Sequence, residues 1–341
     1  MAITRHDFGT FNGETVFAYE ITGPGGMRAR VLSFGAILQS LHAPDRNGQL
    51  ADVTLGFDGM KGYLEDQVKV GALCGRVVNR IRNARFTIRD HEYLLARNDG
   101  DNHIHGGLNG FDRVLWQAQV NEAENSVTLS RLSPDGEEGY PGNLNVRVRY
   151  TLTADSELAI AMEAETDAST IVNLSTHAYW NLAGHASGSI LDHKLMVDAD
   201  RYTPVDARTI PTGALDTVAT TPFDFRKPRP VRQNMPQGGY DINFWLSSRG
   251  GEPHLAAVLA DEASGRVLEL RTNQPGLQIY SGARLSPSVP GKGGVAYQPY
   301  GGFALEPQKF PDAPNHPNFP SIRLEPGEVY RHDSVFRFHT Q

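Results

Sequence analysis

Short segments in which apolar and polar residues alternate recur along this chain and limit its fold more than any other feature. In Val146–Leu152 the apolar residues fall on one face and the polar residues on the other, as in a half-buried antiparallel strand. Leu158–Met162 repeats the pattern, and the residues between the two segments are turn formers. Together they predict a β-hairpin.

Other short segments are rich in β-forming residues and bounded by Gly, Pro, Asn or Asp. They are Thr15–Thr22, Arg30–Leu41, Arg85–Leu95, Val114–Val120, Ser126–Leu132, Arg266–Arg271 and Leu277–Tyr280. The best helical candidate, Met60–Gln67, is too short to define a domain, and no longer helical patterns alternate with strands. With 35 Gly and 21 Pro as turn residues, the chain is predicted to be all-β, a large antiparallel sandwich or barrel with few short helices. No linker divides it, so residues 1–341 are expected to form a single domain.

Charge and composition narrow the ligand class. A net charge of −7 and a pI near 5.9 give no general attraction to nucleic acid or to an anionic membrane, so neither is expected as a partner. No segment approaches the roughly 20 apolar residues of a spanning helix, and the N-terminus lacks a secretory pattern. The single Cys74 excludes an internal disulfide and fits a reducing compartment. We therefore expect a cytoplasmic protein with a small, neutral ligand.

Glu306 is the first candidate catalytic residue. It closes the apolar run Gly302–Leu305 and precedes the proline-rich residues 307–320. At the end of a buried strand a carboxylate is partly desolvated, which raises its pKa and makes it a stronger base once ionised. Glu306 is thus a candidate general base, and the alternative is an acidic residue turned towards solvent at a strand end.

Two histidines stand two residues apart in a glycine-flanked segment. His103 and His105 would share a face in an extended chain, beside Gly106 and Gly107, which allow a ligand to approach the backbone. Such a pair is compatible with a metal site, but the signal is weak and no metal is assigned. An imidazole can instead donate hydrogen bonds or carry protons near neutral pH. We expect His105 to be functional and His103 to be a hydrogen-bonded core residue.

A second histidine lies among aromatic residues. His177 is followed by Tyr179 and Trp180, and aromatic faces beside polar groups suit a sugar, which offers both C–H faces and hydroxyls. In a strand the two aromatic side chains point to opposite sides, so at most one is expected to reach the ligand.

Polar residues also interrupt two other apolar segments. Asn79 and Arg80 lie within Gly75–Ile81, and Asp241 is flanked by apolar neighbours. The guanidinium fork suits vicinal hydroxyls or a carboxylate, and Asp241 could accept hydrogen bonds from hydroxyls. The alternative for Arg80 is a structural salt bridge, and the alternative for Asp241 is a turn cap.

These residues fall into ordered motifs that resemble the aldose 1-epimerases, or galactose mutarotases, from about Arg30 to the C-terminus. The motifs are Asn79-Arg80-Ile81, His105-Gly106-Gly107, His177 to Leu182, Tyr240-Asp241, Pro275 to Gly282, Leu305 to Gln308 and Pro314 to Pro317. The resemblance implies a β-sandwich of the galactose mutarotase type, no cofactor, and interconversion of the α and β anomers of free aldoses.

The resemblance also implies residue roles. Glu306 matches the catalytic base and His177 the catalytic acid, while Asn79, Arg80, His105, Asp241 and Gln278 match sugar-contacting positions; Tyr179 joins them as a candidate stacking residue. Ile242 stands where many relatives carry a polar residue, and Trp180 stands where phenylalanine is more usual, which leaves the sugar preference open.

The reaction requires one base and one acid. Ionised Glu306 would remove the C1 hydroxyl proton while protonated His177 gives a proton to the ring oxygen. Opposite charges favour each other, so the two residues are expected to keep each other charged near neutral pH.

Four other functions remain as alternatives. A non-catalytic sugar-binding module would not need both Glu306 and His177, and a glycosidase would need a second carboxylate, Asp241 or Asp312. A metal-dependent isomerase would lose activity on chelation. A phosphosugar 1-epimerase would need a phosphate site, and the one basic cluster, Arg226–Arg232, is interpreted as a solvated loop. The expected partner is a monosaccharide, with monomer and homodimer both open.

Overall fold

The computed structural model describes residues 2–247 and 251–341, and within them the regular secondary structure is almost entirely β-strand. The strands in chain order are β1 Ala2–Phe11, β2 Glu14–Thr22, β3 Arg28–Leu32, β4 Leu38–Pro44, β5 Leu50–Asp52, β6 Leu73–Cys74, β7 Arg80–Ile81, β8 Arg85–Ile88, β9 His91–Leu94, β10 His103–Ile104, β11 Gln117–Asn121, β12 Ser126–Ser133, β13 Leu144–Leu152, β14 Glu157–Thr166, β15 Thr170–Ile171, β16 Ser175–Thr176, β17 Tyr179–Trp180, β18 Lys194–Val197, β19 Arg201–Thr203, β20 Asp216–Thr217, β21 Arg229–Pro230, β22 Asp241–Trp245, β23 His254–Ala260, β24 Arg266–Thr272, β25 Gly276–Tyr280, β26 Phe303–Gln308, β27 Arg323–Leu324 and β28 Tyr330–Thr340.

Helical structure is brief. The α-helix α1 spans Met60–Glu65, two residues shorter than the predicted Met60–Gln67. Three-residue 3₁₀ turns occupy Pro24–Gly26, Arg82–Ala84, Phe111–Arg113, Glu137–Gly139, Lys292–Gly294 and Ala313–Asn315. Across residues 2–247 and 251–341, no helix has the length and apolar character needed to cross a membrane.

Three sheets dominate the architecture. A nine-stranded antiparallel sheet has the order β11-β12-β13-β14-β28-β24-β23-β18-β21, a six-stranded sheet the order β17-β26-β25-β22-β19-β20, and a five-stranded sheet the order β1-β2-β3-β4-β5. The C-terminal strand β28 lies in the middle of the largest sheet, paired with β14 on one side and β24 on the other. The last residues of the chain are therefore an integral part of the fold.

The main hydrophobic core joins the three sheets. It includes Val148 and Leu270 from the nine-stranded sheet, Ile279 and Leu305 from the six-stranded sheet, and Val31 from the five-stranded sheet, each almost fully buried. The alternation seen in the sequence is what supplies one apolar face per sheet. The predicted antiparallel β-sandwich is confirmed, as is the hairpin of β13 and β14.

Two predicted strands are each two strands in the structure. Arg30–Leu41 divides into β3 and β4, because Gly35 and Ala36 adopt left-handed backbone angles and reverse the chain. Arg85–Leu95 divides into the hairpin of β8 and β9, with Arg89 at positive φ in its turn. Alternation of apolar and polar residues alone does not reveal a tight turn inside a β-rich segment.

Candidate active site

The six-stranded sheet has one apolar face and one polar face. Asn243, Gln278 and Glu306 are directly paired across β22, β25 and β26. Their neighbours Ile242, Ile279 and Leu305 form the next row and belong to the main core. Because successive residues of a strand point to opposite faces, the same register that buries the apolar row directs the polar row away from the core.

A cavity of about 600 Å³ opens on this polar face. It brings together residues predicted from widely separated motifs: Asn79, Arg80, His105, His177, Tyr179, Asp241 and Glu306 all line it. Gln278 is not among the described residues that line the cavity. It lies behind the wall and donates from Nε2 to Oδ1 of Asp241 at 2.6 Å.

Glu306 lies inside a strand and not at its end, which corrects the prediction from the sequence. It is the fourth residue of β26, and Pro307 continues the strand. A proline is tolerated there because β17 pairs only with Phe303 and Ala304 of β26. On this side of β26, Pro307 has no neighbouring strand whose hydrogen-bond ladder it could interrupt. The Glu306 side chain is only 2% exposed.

His177 faces Glu306 across the cavity floor. Its Nε2 is 3.8 Å from Oε1 of Glu306. Backbone hydrogen bonds fix the residue, since His177 N–H donates to the Ala72 carbonyl at 2.8 Å and the His177 carbonyl accepts from Gly71 at 2.9 Å. The imidazole therefore has a defined position beside the carboxyl group.

Asp241 and Arg80 form a charged wall opposite the histidines. Arg80 Nε donates to Asp99 at 2.8 Å, and its Nη1 is 3.6 Å from Asp241 Oδ2. Gln278 completes the support from behind. Each carboxylate and the guanidinium are thus held in place by charge-assisted contacts and keep further donors or acceptors for a ligand.

His105 is joined to the Asn79 turn. Asn79 N–H donates to His105 Nδ1 at 3.3 Å, and His105 N–H donates to the Asn79 carbonyl at 3.1 Å. Accepting at Nδ1 leaves Nε2 of the neutral ring as the donor. The His105 ring lies 5.2 Å from that of His177 between centroids. Both His105 and Asn79 have positive φ, so the two turns present their side chains in an uncommon backbone conformation.

The remaining aromatic and histidine predictions agree with the structure. Tyr179 lines the cavity and packs on His177 with ring centroids 4.8 Å apart. Trp180 points the other way and contacts Phe336 and Phe338 in the core. His103 is a buried core residue whose ring forms hydrogen bonds with the Ala96 carbonyl and the Tyr140 hydroxyl.

The two residues that depart from the family pattern both serve the core. Trp180 is fully buried behind the cavity. Ile242 borders the cavity, but it lies in the apolar row of β22 and packs in the main core. Neither side chain offers a polar contact to a ligand.

Burial favours the neutral forms of the central pair. It raises the pKa of the Glu306 carboxyl well above its ordinary value, with Asp241 adding to the rise and Arg80 opposing it. It lowers the pKa of His177 to about 4, and Lys69 lowers it further. Burial, the neighbouring His177 and Lys69 also lower the pKa of His105 well below its ordinary value.

The expectation that Glu306 and His177 keep each other charged is therefore wrong for the unliganded cavity. The two groups are close enough to attract each other, but desolvation of two fully enclosed side chains outweighs that attraction.

Lys69, Asp112 and Asp99 are charged residues of the site that the sequence reading missed. Lys69 lines the cavity and pairs with the buried Asp112 at 2.6 Å, while Asp99 lines the cavity and holds Arg80. In the sequence, the position of Lys69 between the apolar residues Val68 and Val70 could have marked it as a candidate. The partners Asp112 and Asp99 carry no local signature, because their roles depend on contacts made through the fold.

The sequence also left open a metal site and, at the basic cluster Arg226–Arg232, a phosphate site. Within the described ranges, no three His, Cys, Asp or Glu side chains come together as a set that could hold a metal ion. In the basic cluster, Arg226 pairs with Asp224 and Asp200, and Arg232 pairs with Asp192. Arg229 donates to the Asp224 carbonyl and covers the Phe225 ring. The cluster lies outside the cavity, and carboxylates and carbonyls neutralise or occupy these arginines.

Comparison with known proteins gives one family. The family model described as aldose 1-epimerase matches residues 18–337. Galactose mutarotase from Bos taurus is 43% identical over 343 residues, covering 99% of each chain, and that from Homo sapiens is 44% identical over 342 residues, covering 99% of this chain and 98% of the relative. The crystal structure of a GalM/aldose epimerase homologue from C. elegans superposes with a TM-score of 0.88 at 32% identity, over 94% of this chain and 98% of that one. The chain is an isomerase that belongs to the aldose 1-epimerase family.

Proposed function

We propose that the protein interconverts the α and β anomers of free aldoses of the glucose and galactose class by acid–base ring opening. The observation that carries this proposal is the distance of 3.8 Å between Nε2 of His177 and Oε1 of Glu306 in the cavity. Ring opening requires one group to take a proton from O1 and another to give a proton to O5. Because both oxygens are bonded to C1, the acid and the base must be close neighbours, as these two are.

In the proposed reaction, binding of the sugar first moves the one proton of the pair from Glu306 to His177. Glu306 then takes the O1 proton while the C1–O5 bond breaks and His177 protonates O5. The product is an open-chain aldehyde, which rotates about C1–C2. Closure reverses the transfers: the O5 hydroxyl attacks C1 and returns its proton to His177, and Glu306 protonates the former carbonyl oxygen. The pair holds one proton at every stage, and no net charge enters or leaves the cavity.

The remaining residues would hold the sugar during these transfers. Arg80, Asp241, Asn79 and His105 surround the cavity with donors and acceptors, and Gln278 orients Asp241 from behind. Tyr179 offers a ring face beside His177. Positioning of this kind keeps the reacting atoms near attack distance. We also propose that residues 1–341 act as one catalytic domain, since the site draws on motifs from Asn79 to Glu306.

The competing functions have less support from the same geometry. A glycosidase using Asp312 as the second carboxylate would need Asp312 in the cavity, but that side chain is buried against Arg82 and His316. Asp241 is supported by Gln278 and Arg80 and is assigned to holding the sugar, so it is not proposed as the second carboxylate. A phosphosugar 1-epimerase would need cations that bind phosphate at the cavity. The basic cluster lies outside it, and Lys69 and Arg80 at the cavity are paired with Asp112, Asp99 and Asp241. Arg284 also lines the cavity, so glucose 6-phosphate belongs in the test below.

Polarimetry of freshly dissolved α-glucose and α-galactose tests the proposed function. The purified protein is expected to accelerate the drift of optical rotation to the equilibrium value without releasing or consuming any sugar. Initial rates on galactose, glucose, xylose and arabinose give the preference among aldoses. A drift that matches the protein-free blank for all four sugars, or a higher rate on glucose 6-phosphate than on glucose, would overturn the proposal.

The pH dependence of activity is expected to be bell-shaped, with an acid limb set by His177 and an alkaline limb set by Glu306. Activity requires one proton on the Glu306–His177 pair. Below a pH of about 4, set by the lowered pKa of His177, the pair gains a second proton, and above the raised pKa of Glu306 it loses its last one. The measurement is kcat/KM by polarimetry, with the acid- and base-catalysed blank subtracted at each pH. A flat profile, or an acid limb at the ordinary histidine pKa near 6.5, would contradict the assignment.

A further inference from the structure

The turn that carries Lys69 is built to hold this residue in one place. Asp66 accepts hydrogen bonds from Val68 N–H at 2.9 Å and Val70 N–H at 2.6 Å. Lys69 itself has φ +57°, a left-handed conformation that is uncommon for a side chain of this size. The carboxylate of Asp66 therefore fixes a backbone conformation that the residue would not adopt readily alone.

The same turn is bonded to the segment that carries the catalytic acid. Gly71 N–H donates to the His177 carbonyl, and His177 N–H donates to the Ala72 carbonyl, at 2.9 and 2.8 Å. The Tyr179 hydroxyl donates to the Val68 carbonyl at 3.1 Å. Lys69 and the imidazole of His177 thus belong to one rigid part of the cavity wall.

The ammonium group of Lys69 is fixed as well. Its Nζ lies 2.6 Å from Oδ2 of Asp112, with the two side chains 12% and 4% exposed. Arg113 Nε approaches the same oxygen at 3.2 Å. Asp112 therefore contacts both cations directly, and Asp66, on the same turn as Lys69, is the other carboxylate that interacts with them.

The charged and titratable groups around His177 come from every element packed against it. They are Glu306, Asp241, Arg80, His105, Tyr179, Tyr280, Cys74, Asp66, Lys69, Asp112 and Arg113. Burial keeps His105 and Glu306 in their neutral forms, and Arg80 is matched by Asp99 and Asp241. Lys69 is the cation that lowers the pKa of His177, and it also lowers that of His105.

We propose that Lys69 is a positioning residue whose fixed ammonium group, held in the wall of the cavity that also contains His177, makes the imidazolium of His177 a stronger acid once a sugar is bound. A nearby like charge disfavours the imidazolium and adds to the effect of burial on His177. When the imidazolium forms during catalysis, the same repulsion favours release of its proton to O5. The catalytic part of this inference rests on the proposed function, and the electrostatic part does not.

The test is the titration of the His177 ring by NMR in the full-length protein, comparing wild type with Lys69→Met. Removing the ammonium is expected to raise the His177 midpoint by at least about 0.5 pH unit. Lys69→Gln should give the same rise, because it also removes the charge, and Lys69→Arg should restore the wild-type midpoint. Lys61→Met is the matched control, since Lys61 is an exposed lysine on α1 paired with Glu65; it should leave the midpoint unchanged.

A second readout follows catalysis. In Lys69→Met and Lys69→Gln the acid limb of the kcat/KM profile should move to higher pH by the same amount as the NMR midpoint, and in Lys69→Arg it should not move. Unchanged midpoints in both neutral variants would overturn the inference, as would an equal shift in Lys69→Arg. A protein that fails to accelerate mutarotation would overturn the proposed function alone, because the ring titration needs no turnover.

Discussion

Glu306→Gln is expected to abolish nearly all mutarotation while the fold is retained. The amide matches the carboxyl in shape but cannot take the O1 proton, and a positioned proton transfer is worth about 10²–10⁴ in rate, or about 3–5 kcal/mol of barrier. Polarimetry with α-galactose measures the loss, and Glu65→Gln on the exposed end of α1 is the matched control. Substantial residual turnover in Glu306→Gln would remove Glu306 from the role of base.

The same substitution is expected to stabilise the protein at neutral pH. The pKa of Glu306 is raised in the folded chain above its ordinary value of 4.5. Above about pH 4.5 the unfolded chain releases the Glu306 proton while the folded chain keeps it, so the free energy of unfolding falls as pH rises. Glutamine has no such titration. The Tm of the variant relative to wild type should therefore increase from about pH 4.5 upwards, and a lower Tm at pH 7 would contradict the buried neutral carboxyl.

His177→Asn is expected to cause a loss of the same order in rate. The asparagine side chain can still donate a hydrogen bond near O5, but it cannot transfer a proton, so the C1–O5 bond would break without an acid. His91→Asn is a suitable control, since His91 is an exposed residue of β9. Activity within about tenfold of wild type in His177→Asn would show that another group protonates O5.

The double variant gives an independent check. Two residues that act as one proton-transferring unit show strongly non-additive losses. Glu306→Gln combined with His177→Asn should therefore be little slower than the slower single variant. Losses that multiply would indicate that the two residues act in separate steps.

Alternation in the sequence predicted the fold because the strand period of two is a local property. It failed where a turn interrupts a β-rich segment, as at Gly35 and Ala36. It also failed where Pro307 suggested the end of the strand, because whether a proline interrupts a ladder depends on the length of the neighbouring strand.

The candidate site was predictable as a set of residues but not as an electrostatic arrangement. The motifs pointed to His177 and Glu306, which the fold brings within 3.8 Å. The sequence could not show that both groups are fully enclosed, and enclosure reverses the expected charges. Lys69 and Asp112 illustrate the same limit, since their partnership spans 43 positions and exists only in the folded chain.

The paired rows of the six-stranded sheet separate the residues that position the base from residues that shape the cavity mouth. A slip of β26 by one residue would turn Leu305 towards the cavity and Glu306 into the core, so packing of the core itself enforces the position of the base. Residues 281–302, which connect β25 to β26, do not set that register, yet Ala283 and Arg284 within them line the cavity. Substitutions at Ala283 and Arg284 can therefore alter which sugars fit, while the proton-transferring pair stays in place.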